Sequence, residues 1–158
     1  MTDPLTTYLQ DHLAGAKFAI NLLEDLSKGE LNPNVAEVST RLLVEVEEDR
    51  VALNDLVDRV GGDSSDLKEA AAWVAQKAGR FKLTLAEPIG LFEPVEMLTL
   101  GVLGKLALWN AIRRLAPTDD RVAGLQLDEL AARAVAQHKE LEALRLQLAP
   151  LALARPSE

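Results

Sequence analysis

Glu45, Glu48 and Asp49 stand close together in the stretch LLVEVEEDRVALNDLVDRVG. Side chains three and four positions apart share a helical face. Glu45 and Asp49 fall on the face marked by Val35, Val38, Leu42, Val46, Leu53, Leu56 and Val60. A carboxylate on an inward stripe needs a cation, a metal ion or hydrogen-bond donors, because leaving it ionised and uncompensated costs on the order of several kcal/mol. Two sets of candidates answer that need. His12 lies on the inner stripe of the first helical segment and His138 stands in the last segment, so His12, Glu45, Glu48, Asp49 and His138 form a carboxylate and imidazole set suited to iron or manganese, with redox or peroxide chemistry as its use. Lys105, in the middle of the most apolar segment, offers the other answer, an internal ion pair with Glu45 or Asp49.

Each of these residues also has a plainer explanation. Lys105 can snorkel to the edge of a bundle, and a half-buried, hydrogen-bonded imidazole accounts for His12 or His138 without a metal. Glu47, Glu48 and Arg50 suit a solvated face. Glu96 follows Pro94 in a first helical turn, where an acid complements the helix dipole. Gly101 and Gly104 suit close helix packing, and Trp73 and Trp109 suit the core. The chain has no phosphate-binding glycine loop, serine nucleophile motif or HExxH.

The elements that must position these residues are helices. In 158 residues, 48% are hydrophobic and only 4% aromatic, so a single domain must build its core from Leu, Val and Ala. A net charge of -8 disfavours nucleic acid and anionic membrane as partners. There is no cysteine, which excludes disulfides, thiolate zinc sites and cysteine nucleophiles. The N-terminal MTDPLTTYLQDH does not read as a secretory signal. The apolar run from Met97 to Ile112 is interrupted by Lys105 and reads as too short for a membrane span of about 20 residues. A cytoplasmic protein is the expectation.

Asp3-Pro4 opens a first helix running to Lys28, and Asn32-Pro33 opens a second ending at Gly61 and Gly62. Ser64 and Ser65 open a short Ala-rich helix ending near Gly79 to Phe81, inside a segment that carries the chain to Glu93. Pro94 to Leu115 is apolar nearly all round, which predicts the most buried helix. The last helix is expected over Leu127 to Ala149, stopped by Pro150. Residues 1–150 therefore read as one helical-bundle domain and 151–158 as a frayed tail. The connection from Ser64 to Glu93 is long enough to return along the bundle, so the second helix and the Pro94 helix are expected to run parallel.

With that helix order, YLQDHLAGAKFAINLLEDL, LLVEVEEDRVALNDLVDRVG and GVLGKLALWNAIRRL resemble the ferritin-like superfamily, in particular small bacterial bundles of that kind. The resemblance spans most of the chain and rests on helix order and texture. It implies an all-α ferritin-like four-helix bundle, with a short extra helix in the crossover between the second and third long helices. Metal-binding members take a Glu from each of two helices and Glu-x-x-His from each of two others. Here Glu45-Val46-Glu47-Glu48 has Glu48 in the histidine position, Val135-Ala136-Gln137-His138 lacks the glutamate, and the first helix presents His12 in place of a glutamate. These departures imply a degenerate centre.

Counting through the two hairpins puts His12 at about the height of Glu48 and Asp49, and His138 opposite Lys105. Glu96 falls roughly 13 Å away along the axis, at 1.5 Å per residue, and is a poor ligand candidate. Two functions follow. The favoured one is a non-catalytic structural or interaction protein, its metal centre replaced by a Lys–carboxylate network; the apolar faces would suit a homodimer. The other is a carboxylate-histidine protein with iron or manganese as cofactor. The partner protein and any substrate are not legible.

Overall fold

The computed structural model describes residues 3–62 and 89–157. Among them are four long helices: α1 (Pro4–Ser27), α2 (Pro33–Arg59), α3 (Phe92–Leu115) and α4 (Leu127–Ala152), with a 3-10 turn at Asp120–Val122 before α4. The short helix expected from Ser64 lies outside the described residues.

Local chemistry sets the ends of α1 and α2. The Thr6 amide donates to the Asp3 carboxylate at 3.0 Å, and the Asn34 and Val35 amides donate to the Asn32 side chain at 3.0 and 3.2 Å. In each case a proline fills the first helical position, where its missing N–H costs nothing. The end of α2 needs glycine twice. Gly61 sits at φ 83°, and a Cβ on Gly62 would meet Val57 Cγ1 at 2.7 Å. Two boundaries differ from the sequence reading. α3 starts at Phe92, before Pro94, because a proline is tolerated in a first turn. α4 runs through Pro150 to Ala152, since a proline so near the end removes only one terminal backbone bond and the Leu153 amide still reaches the Ala149 carbonyl at 2.9 Å.

Cross-helix contacts give the directions. Asn34 with Gln147, Arg41 with Glu140, and Asp49 with Arg133 run α2 antiparallel to α4. Glu96 with Arg145, Lys105 with Gln137, and Arg113 with Asp128 run α3 antiparallel to α4. Hence α2 and α3 are parallel, and the chain leaves α2 at one end of the bundle and enters α3 at the other. α1 packs mainly on α2 and α3 mainly on α4, so two hairpins face each other across two seams, α1 with α3 and α2 with α4.

The core is in two parts. One gathers Phe18, Leu23, Leu42, Val46, Val95, Leu98, Val102 and Leu141. The other gathers Leu9, Leu13, Leu53, Leu56, Leu108, Trp109, Ile112 and Val122. Each buried aliphatic chain contributes about 1.5–3 kcal/mol. On α2 the division falls between Val46 and Leu53, and on α3 between Val102 and Leu108, the intervals that hold Asp49 and Lys105.

α3 is not the most buried helix that its composition suggested, since α1 buries as many residues over the same length. Leu100 and Leu103 are 57% and 41% exposed, because this helix turns one face to α4 and a second toward the α1 seam and leaves the third open. At 24 residues it is also longer than its uninterrupted apolar run, and by length and composition it is long enough to cross a membrane.

Candidate functional site

The interval between the two core parts is a polar belt built on Asp49. This carboxylate is 2% exposed and accepts from three donors. Lys105 Nζ lies 2.5 Å from its Oδ2, Gln137 Nε2 lies 3.4 Å from the same oxygen, and Arg133 Nη1 lies 3.2 Å from Oδ1. The belt then extends sideways. Lys105 Nζ also donates to Gln137 Oε1 at 2.5 Å, and Gln137 Nε2 donates to Glu45 Oε2 at 3.0 Å. Arg133 reaches Glu48 Oε2 at 2.9 Å, nearer the surface.

Helical spacing explains why these side chains meet. Asp49 lies three residues after Val46 and four before Leu53, on the buried stripe of α2. Gln137 stands between Ala134 and Leu141 on the buried stripe of α4. Lys105 follows Val102 and precedes Leu108 and Trp109 on α3, and its long stem lets the ammonium cross from there to α2. Burial pulls the Lys105 ammonium below its usual lysine pKa, and the neighbouring Asp49 carboxylate opposes that shift by attraction and by hydrogen bonding.

The sequence-derived residues divide into those the belt collects and those it does not. Glu45, Glu48, Asp49 and Lys105 come together. Lys105 pairs directly with Asp49, while Glu45 reaches it only through Gln137. His12 packs its ring edge against Tyr8 at 4.7 Å, and burial lowers its pKa against the opposing pull of Asp11. His138 is half-buried on α4, one residue beyond the inward position. Among the described residues no three His, Asp or Glu side chains gather in an arrangement that could hold a metal ion. Both inner carboxylates are already engaged by Lys105, Gln137 and Arg133. A dication placed there would sit against an ammonium and a guanidinium, so this donor set does not fit a carboxylate-bridged metal pair.

Sequence reasoning missed Gln137 and Arg133. Gln137 had only an ambiguous signal, since it and His138 both stand at helical spacing from Ala134 and Leu141. Arg133 had none, because it bends to Asp49 from the side of α4, and only the α2 to α4 register brings it there. Glu96 pairs with Arg145 at 3.0 Å, far from the belt.

Beside the belt, between α1 and α3, lies a cavity of about 460 Å³. Lys105, Gln137, His12 and Asp11 contribute polar groups to walls that are otherwise apolar, with Phe18 and Met97 among the aliphatic residues and glycines. Gly101 and Gly104 border it, and a Cβ built on either would have no atom within 4 Å. These glycines do not seat a neighbouring helix, contrary to the packing role expected of them.

Comparison with known proteins finds no family model, no curated protein and no solved structure that matches this chain.

Proposed function

We propose that this chain is a ferritin-like helical bundle acting as a structural or interaction protein without catalysis, in which a cation of its own occupies the place of a metal centre. The observation that carries the reading is Lys105 Nζ, 2.5 Å from Asp49 Oδ2 at the division between the two halves of the core. An ammonium there neutralises from within the carboxylates that a dimetal site would use, and Arg133 adds a second cation. The parallel course of α2 and α3 supports the ferritin-like part, since that connectivity needs a long crossover between the second and third long helices.

Elemental analysis of protein purified without chelator, then incubated anaerobically with ferrous iron or manganese, tests this. The expected result is folded protein without stoichiometric metal. Near-stoichiometric, retained metal that disappears in Glu45→Ala or His12→Ala would overturn the reading in favour of redox-metal chemistry.

A further inference from the structure

We propose that the cavity between α1 and α3 binds an uncharged, mainly hydrocarbon molecule bearing one oxygen acceptor, with that oxygen seated against Lys105. Size comes first. At about 30 Å³ for each water-sized group, the 460 Å³ of space takes roughly fifteen heavy atoms. Ligand sites between the helices of a bundle commonly have this form, apolar walls with a few convergent polar groups.

The second observation is glycine. Gly15, Gly101 and Gly104 all border the cavity, all lie inside helices, and a Cβ on any of them would meet no atom within 4 Å. None has the positive φ that would require glycine. A helix-interior glycine costs about 1 kcal/mol relative to alanine, and here neither backbone geometry nor a close neighbour requires it. Gly15 and Gly101 are exposed and Gly104 is half-buried, so what the three have in common is the solvent-open mouth of the cavity.

The polar end decides the ligand class. Lys105 has three N–H donors, of which Asp49 and Gln137 accept two. The third has no partner among the described residues. Gln137 has nothing left to give, since its oxygen accepts from Lys105 and its nitrogen donates to Glu45 and Asp49. At the Lys105 end the site therefore offers one open donor to an acceptor oxygen, with the His12 imidazole the other polar group of the wall beside it. Charge then disfavours an acid: Asp49 already neutralises Lys105, Glu45 lies near the same ammonium, and Asp11 is the other charged residue among the described lining, so a ligand carboxylate would meet no unmatched cation. A long-chain alcohol or ketone satisfies both conditions.

The test uses N-phenyl-1-naphthylamine, a neutral dye that brightens in apolar surroundings, titrated into the full chain and then displaced by 1-dodecanol or by dodecanoate. The expected result is saturable dye binding, displacement by dodecanol, and displacement by dodecanoate weaker by at least about tenfold, equivalent to about 1.4 kcal/mol. Gly101→Leu and Gly104→Leu, which place aliphatic side chains at the border of the cavity, are expected to weaken dye binding by at least about tenfold while helix content and melting temperature are maintained. Three results would overturn the proposal: no dye binding by the wild-type chain, equal binding by both leucine variants, or dodecanoate matching dodecanol.

Discussion

Along the seam between α2 and α4, polar contacts recur from Asn34 with Gln147, through Arg41 with Glu140, to Asp49 with Arg133. The seam between α1 and α3 instead sets glycines and aliphatic chains around an open volume. Both seams join the same two hairpins, and in both the helices touch far less than within a hairpin. The difference lies in how the gap is filled. Long charged side chains from α2 and α4 span their seam and satisfy one another. At Gly15, Gly101 and Gly104 on α1 and α3 there is no side chain to reach across the other seam. The polar seam should therefore resist substitution strongly, and the apolar seam should accept added bulk.

Breaking the polar seam has the largest expected effect. Asp49→Ala leaves the Lys105 ammonium buried without its carboxylate and is expected to lower unfolding free energy by about 3–5 kcal/mol, measured by urea denaturation. Replacing both partners, as in Asp49→Leu with Lys105→Met, removes the uncompensated charge as well and should cost far less. A single variant as stable as the double would mean that water already solvates the Lys105 ammonium, and the contrast between the seams would collapse.

Adding bulk to the apolar seam has a smaller effect of opposite sign. Gly101→Ala is expected to raise stability by about 1 kcal/mol, because the helix gains an alanine and the new Cβ meets nothing. Gly62→Ala is the control. Its Cβ would press on Val57 and Thr6, so the same chemical change should lower the melting temperature. If both alanines destabilise, the space beside Gly101 is not open.

The smallest effect is in pH dependence and sharpens the account of the α1 side. Burial depresses the His12 pKa below 6.5 in the folded state, so between the folded value and 6.5 the unfolded chain binds more protons than the folded one. The His12 contribution is therefore present above pH 6.5 and is lost as pH falls toward the folded value. Urea midpoints of the wild-type chain should decline across that window more steeply than those of His12→Gln. Parallel slopes would show His12 to be solvated.

Helix boundaries and the inward stripe of α2 were legible because capping residues and a 3.6-residue period act locally. Asp3, Asn32, Gly61 and the series Val35 to Leu56 each announce their role within a few residues of chain. The position of Lys105 opposite the α2 carboxylates was also legible, through hairpin counting. Its partner was not settled, since Glu45 and Asp49 share one stripe and only side-chain reach separates them. The end of α4 was misjudged because a proline rule for helix interiors does not govern a final turn.

What the sequence determined by itself was a set of amphipathic helices with acids on one inward face and a lone lysine in the most apolar one, because periodicity and capping depend on neighbours along the chain. Tertiary structure alone decided that Gln137 rather than His138 faces Lys105, that Arg133 reaches the buried Asp49, and that Gly101 and Gly104 border empty space. Those outcomes depend on the rotation and spacing of helices far apart in the chain, where a shift of one residue in register exchanges an inward side chain for an outward one.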